Sequence, residues 1–282
     1  MTSPAEVAAA GQLACLLEVS APKPGNVSPE RHFHDTRYED FLASAVAIGP
    51  ALADAGEWPL GFSIRRAVQE TLRWTRSNTN LGIVLLLMPL ARAALRQGSS
   101  LRERLSRVLA ETTVDDAAEV YAAIRQARPG GLGQSAAEDV AGAPSVTLRE
   151  AMGLAADRDA IAREYVTDFA YSFETGVPAL LAARRDGLSW TDAAVETYLA
   201  LLEAAPDTHI ARKLGAAEAK LVSQQARQAR QAGGTRSDEG RRALAQLDRD
   251  LRDPKNRRNP GASADLTCAA LFIVILEGGW DP

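Results

Sequence analysis

The chain has 282 residues, 46% of them hydrophobic, and carries a formal net charge of −4. That apolar content suffices for a sizeable core in one large domain or two small ones. The acidic balance excludes a global positive field that would hold nucleic acid or an anionic membrane, so any anion binding has to be local.

Aromatic residues make up only 5% of the chain, and alternating β-branched runs are nearly absent. Alanine, leucine, arginine and glutamate dominate, which favours helix. In chain order the pattern predicts helices over 4–19, 37–55, 61–75, 79–96, 100–110, 114–128, 147–156, 159–185, 189–204, 208–232, 238–251 and 260–277. Pro4 suits a first turn. Ser100, Asp159, Ser189 and Asp238 are expected N-caps, and Gly187 and Gly233 expected stops. No fixed repeat period recurs. The expectation is all-α: a single globular domain of about a dozen helices over residues 1–282. Two irregular stretches are expected, Pro129 to Ser145 with Gly130-Gly131-Leu132-Gly133, and Gln231 to Glu239.

Cys15 and Cys268 lie in apolar helical runs and make neither a disulfide framework nor a zinc spacing. The N-terminus has no basic stretch and carries Glu6 and Glu18, so no signal peptide is expected. The longest apolar runs, Ile83 to Leu90 and Leu266 to Leu276, are shorter than the roughly 20 residues a bilayer requires. A cytoplasmic protein is therefore expected.

Four islands of glycine, proline, asparagine and aspartate interrupt the helices. They are Pro22 to Val27, Asn78 to Gly82, Asp207-Thr208-His209 running on to Gly215, and Asn259 to Asp265. Three of them sit immediately before or at the start of an apolar helix. A helix start offers unpaired N–H groups and a positive dipole end. Several such starts with carboxylates beside them would suit a phosphate and a metal ion. Lys23 is a point charge suited to phosphate, and Asp35 reads equally as an N-terminal cap. Gly82, inside a first turn, costs roughly 1 kcal/mol against alanine and implies close approach of a ligand or of another helix. Asp207 reads as a cap, with Arg212 and Lys213 about one turn on. Asp265 enters a strongly apolar helix. A buried carboxylate there is costly unless paired, hydrogen-bonded or metal-bound, which makes it the best single catalytic or metal candidate.

These islands, in this order, resemble the triphosphoribosyl-dephospho-CoA synthase family over nearly the whole chain. The family's Pro-Lys-Pro-Gly turn stands at Pro22 to Val27, and its acidic residue three before an aromatic at Asp35 and Tyr38. Its Asn-Thr-His-Lys-Gly signature becomes Asn78-Thr79-Asn80-Leu81-Gly82. Its Asp-Thr/Ser-Asn motif with a following basic residue becomes Asp207-Thr208-His209 with Arg212. Its Pro-Gly-Gly-Ser/Cys-Ala-Asp-Leu motif becomes Pro260 to Leu266. The chain departs from the family at Leu81, where lysine is usual, and at Asn80, His34 and Ala262.

The resemblance implies an all-α, ATP-using, Mg2+-dependent transferase of cofactor biosynthesis. In that chemistry the 2′-hydroxyl of dephospho-CoA attacks C1′ of the ATP ribose and adenine leaves. It implies Asp35, Asp207 and Asp265 as catalytic residues and metal ligands. Lys23, Gly25, Asn26, Asn78, Thr79, Asn80, Gly82, Arg212, Gly261 and Ser263 would hold nucleotide and phosphate. The implied partners are ATP and a small-molecule acceptor, dephospho-CoA or a related precursor. A homodimer through apolar helix faces is also expected to be open to so alanine-rich a chain. Two other readings remain at this point: a metal-dependent ribosyl-nucleotide hydrolase, and a non-catalytic helical nucleotide-binding protein.

Overall fold

In the computed structural model the described residues are 2–130 and 138–281. Residues 131–137, and with them most of the glycine-rich stretch expected after Pro129, lie outside the described residues. The helices are α1 (Pro4–Ser20), α2 (Tyr38–Ala47), α3 (Gly49–Ala53), α4 (Leu60–Trp74), α5 (Leu81–Ala94), α6 (Leu101–Ala110), α7 (Val114–Ala127) and α8 (Leu148–Gly153). There follow α9 (Ala160–Val166), α10 (Val177–Arg185), α11 (Trp190–Ala204), α12 (Thr208–Leu214), α13 (Ala216–Gln231), α14 (Asp238–Leu251) and α15 (Gly261–Leu276). Among the described residues there is no strand, only an isolated bridge between Ser28 and Arg31.

Two helices are apolar nearly all round and are buried accordingly. In α15 every residue from Leu266 to Val274 is buried, and in α5 every residue from Ile83 to Ala91. They pack on each other, and α1 packs on both; α11 covers α15 from another side. The core is therefore centred on the α1–α5–α15 contact, and the starts of α5 and α15 lie beside the end of α1.

Two prolines, Pro89 inside the core and Pro50 at its exposed edge, leave carbonyls without their helical donor, and a side chain answers each. Pro89 cannot bond back to Leu85, and the buried Tyr165 hydroxyl donates to that carbonyl at 2.7 Å. Pro50 cannot bond back to Val46, and Gln12 Nε2 donates there at 3.1 Å.

Three expected long helices are broken. The run 37–55 divides at Ile48, just before Pro50. The run 159–185 divides where Asp168 and Phe169 adopt φ of 51° and 58°. There the Glu164 carboxylate takes the N–H groups of Tyr171 and Ser172, both at 2.9 Å, and a π-helical turn at Ser172–Gly176 leads into α10. The run 208–232 divides at Gly215, whose φ of 94° ends α12. Ser100, Asp159 and Ser189 cap as expected, whereas α14 is capped by Ser237, one residue before the expected Asp238. The expected loop 231–239 is shorter, since Gln231 ends α13 and Asp238 starts α14, and it contains a 3₁₀ turn at Gly234–Arg236, held by Glu196 through the Thr235 N–H at 2.6 Å and Arg236 Nη1 at 2.6 Å.

Candidate active site

All four islands contribute to the lining of one cavity of about 1680 Å3. They differ in what they contribute to it. The first island is mainly scaffold. Lys23 is 1% exposed, with Nζ 2.9 Å from Glu18 Oε1 and bonded to the Glu18 and Ala21 carbonyls. Its charge is spent neutralising a buried carboxylate at the end of α1, so it does not offer the expected phosphate contact. Gly25 takes φ of 76°, and a Cβ there would sit 2.9 Å from Leu251 Cβ. Its N–H donates to Asp248 Oδ1 at 2.8 Å and its carbonyl accepts from Asn259 Nδ2 at 2.8 Å. Asn26 receives Asn259 Nδ2 on Oδ1 at 3.0 Å and lies near the Tyr198 hydroxyl at 3.3 Å. Glu18 and Asn26 line the cavity; Lys23 and Gly25 stand behind the wall.

The second island starts α5. Asn78 Oδ1 accepts the Leu81 N–H at 3.1 Å, Thr79 Oγ1 is 2.5 Å from Ser44 Oγ, and Asn80 Nδ2 donates to Thr71 Oγ1 at 3.0 Å. All five residues from Asn78 to Gly82 face the cavity, including Leu81. The glycine has a tertiary reason. A Cβ at position 82 would fall 2.0 Å from Asp265 Oδ2, so any side chain there must displace the acid of α15.

Asp265 is the centre of the site. Among the described residues its carboxylate has no hydrogen-bond or ion-pair partner. Burial pushes its pKa well above the ordinary carboxylate value, and the negative charges of Glu18, Asp207 and Asp159 push the same way; Arg212 opposes them. Such a group is expensive to bury without partners and is basic for a carboxylate, which suits proton transfer.

Asp207 is spent on structure. It caps α12 through Oδ1, accepting the His209 and Ile210 N–H groups at 2.8 and 3.1 Å. Its Oδ2 accepts both the N–H and the hydroxyl of Ser263 at 2.8 Å. One carboxylate thus ties the starts of α12 and α15 together, and it is 2% exposed; Ser263 is likewise turned into this bridge and does not line the cavity. Gly261 does line it, and a Cβ there would meet His209 Nδ1 at 2.3 Å. Burial, with Lys213 and Arg212 beside it, lowers the His209 pKa to about 3, so the ring is neutral. Asp35 stands on the rim with its side chain 58% exposed, 3.7 Å from His34 Nε2. It does not cap α2, whose N-cap is Arg37.

The expected metal trio is therefore not assembled. Asp207 has both oxygens occupied and Asp35 stands on the exposed rim. Among the described residues no three His, Cys, Asp or Glu side chains are placed to hold a cation together.

Cations are plentiful instead. Arg76, Arg128, Arg212, Lys213 and Lys255 all line the cavity. Arg212 Nη1 lies 3.5 Å from Asp159 Oδ2, and its Nε is buried without a partner. Burial first, then Arg212, lowers the Lys213 pKa. Arg257 and Arg258, by contrast, are tied to Asp253 and Glu218. Asp159, expected from the sequence as a cap, has a second part in the site. It caps α9 and also faces the cavity, and only the docking of α9 on α5 and α15 brings it there.

The fold and this cavity define an all-helical protein with an anion-binding, carboxylate-centred substrate site. Residues 4–282 match the model of the CitG family, described as ATP:dephospho-CoA triphosphoribosyl transferase, and the chain belongs to that family. The crystal structure of a proposed triphosphoribosyl-dephospho-CoA synthase from Archaeoglobus fulgidus is similar, with 31% identity, a TM-score of 0.66, and coverage of 84% of this chain and 99% of that one. Curated relatives carry the name "Probable 2-(5''-triphosphoribosyl)-3'-dephosphocoenzyme-A synthase". The one from Stutzerimonas stutzeri is 35% identical over 100 residues, 36% of this chain and 34% of the relative. The one from Pseudomonas paraeruginosa is 34% identical over 108 residues, 37% and 36% of the two chains. The alignments thus span about a third of these relatives' length. Among the described residues no helix is long and apolar enough to cross a membrane.

Proposed function

We propose that the chain transfers the triphosphoribosyl group of ATP to the 2′-hydroxyl of dephospho-CoA and releases adenine. The bond from C1′ to adenine breaks, a bond from C1′ to the acceptor oxygen forms, the acceptor's proton passes to a base, and adenine takes up a proton. The observation that carries this reading is Asp265: an unpartnered carboxylate of raised basicity, in a cavity lined by all four motif islands. Family membership supports the donor and the acceptor.

Each residue's part follows from its surroundings. Asp265 accepts the proton of the attacking hydroxyl. Asp159 adds negative potential where an oxocarbenium-like ribose gathers positive charge. Arg76, Arg212, Lys213 and Lys255 receive the triphosphate, with Arg212 giving the planar fork that phosphate oxygens match. The half-buried Lys213 ammonium, acidified by burial, is the proton donor for departing adenine; His209, neutral above about pH 3, cannot fill that role. The Mg2+ expected from the resemblance is proposed to travel with ATP, since Mg2+ commonly uses substrate phosphates and one or two carboxylates in place of a protein cage.

Neither the hydrolase reading nor the non-catalytic reading has a comparable observation behind it. The test is product mass: dephospho-CoA incubated with ATP and the protein gains one triphosphoribosyl group. An unmodified acceptor beside free ribose triphosphate would instead mean hydrolysis.

A further inference from the structure

The starts of α9 and α12 are tied to each other at two points. Thr208 Oγ1, in the first turn of α12, accepts the N–H of Ala160, the first residue of α9, at 3.1 Å. One turn further along α12, Arg212 Nη1 lies 3.5 Å from Asp159 Oδ2. Residues four apart share a face of a helix, and this face of α12 is turned to the start of α9. Asp159 is itself fixed, because its Oδ1 accepts the Ile161 and Ala162 N–H groups at 2.9 and 3.1 Å. One carboxylate oxygen thus caps α9 and the other meets the arginine. Among the described residues Arg212 has no other ion pair, and its Nε has no hydrogen-bond partner. Asp159, Thr208 and Arg212 all line the cavity. The Asp159 charge alone would oppose a polyphosphate beside it. A long arginine side chain, however, is costly to immobilise, and a partner already in place lowers that cost when an anion binds.

We propose that Asp159 is a positioning residue, which holds the Arg212 guanidinium in place for the donor's polyphosphate, and that Thr208 fixes the spacing of the two helix starts on which this hold depends. The inference rests on the reading above, in which Arg212 receives the triphosphate. Thr208, the middle residue of the Asp207-Thr208-His209 motif, thereby gains a part in the site. Charge and positioning predict opposite signs for the loss of Asp159. By charge alone a neutral residue at 159 tightens ATP binding, whereas an Arg212 without its anchor binds ATP more weakly. The negative potential of Asp159 at the ribose bears on turnover and does not enter a binding measurement.

The test is calorimetric titration of ATP with Mg2+ into the wild-type chain, Asp159→Asn, Asp159→Ser, Arg212→Ala and the double variant Asp159→Asn with Arg212→Ala. Asparagine and serine cap a helix about as well as aspartate, so both variants at 159 are expected to melt within a few degrees of wild type. Each is expected to bind ATP about fivefold or more weakly than wild type, and Arg212→Ala at least as weakly. With Arg212 already removed, Asp159→Asn is expected to leave ATP affinity unchanged or to raise it by up to about threefold, as charge alone dictates. Unchanged or tighter binding in both single variants at 159, or wild-type affinity in Arg212→Ala, would overturn the proposal. So would a weakening that persists undiminished in the double variant, which would mean that Asp159 acts on ATP or its metal directly. Failure of the transferase reading shows differently: the binding pattern would hold, yet wild type would release no adenine from ATP in the presence of dephospho-CoA.

Discussion

Oδ2 of Asp265 occupies the space in which a side chain at residue 82 would begin, 2.0 Å from the Cβ that Gly82 lacks. The start of α5 and the acid of α15 are thus one fitted contact. Alanine at 82 gains about 1 kcal/mol of helix propensity but must push the carboxylate aside. Gly82→Ala is expected to keep its melting temperature within a few degrees while losing about a hundredfold or more in kcat/KM. Thermal melting and steady-state kinetics on the same preparation check this; a variant with near-normal turnover would remove the contact from the mechanism.

Asp265→Asn keeps the shape and removes the charge. Burial raises the folded-state pKa of Asp265, so the folded protein binds that proton more readily than the unfolded chain does. The ionised acid therefore costs stability above its unfolded pKa, and the amide does not. The variant is expected to be at least as stable as wild type near neutral pH and to have no measurable turnover. For the wild-type protein, kcat is expected to fall on the acid side at a pH above the ordinary carboxylate range, as the base takes up its proton. A destabilised variant, or an active one, would contradict this.

Lys23→Met separates scaffold from substrate contact. Removing the ammonium leaves Glu18 buried and unpaired, a loss of about 3–5 kcal/mol by the usual behaviour of buried pairs. Chemical denaturation is expected to show that loss. In whatever fraction stays folded, KM for ATP is expected to be unchanged. A stable variant with a raised KM for ATP would restore the phosphate-binding role expected from the sequence.

His209 governs part of the acid response. Its folded pKa of about 3 lies below the ordinary value of 6.5, so the unfolded chain takes up the proton first as pH falls. The stability linked to the neutral ring is complete above about pH 6.5 and is progressively lost between there and pH 3. His209→Gln is expected to flatten the pH dependence of unfolding in that window. An unaltered slope would show that the ring protonates in the folded state.

The helices and the islands were legible in the sequence because both are local: propensity, caps and breaker residues act over a few positions. Gly82 could be flagged as needing a close neighbour, but that the neighbour is Asp265 depends on how α5 meets α15. Asp207 and Lys23 look like site residues because they sit in the motifs, yet their partners, Ser263 and Glu18, turn them inward. The breaks at Ile48, Asp168 and Gly215 were missed where helix propensity runs on. Two are made by a single proline or glycine, and the third by two residues in left-handed conformation beside a buried glutamate. Asp159 reads as an ordinary cap until α9 docks beside the cavity.

The most direct test of the account is free adenine, measured by chromatography after incubating the protein with ATP and Mg2+, with and without dephospho-CoA. The account predicts adenine only when dephospho-CoA is present, in equal amount to the modified acceptor, and none from Asp265→Asn. Adenine released without an acceptor, or no adenine with both substrates bound, would contradict it.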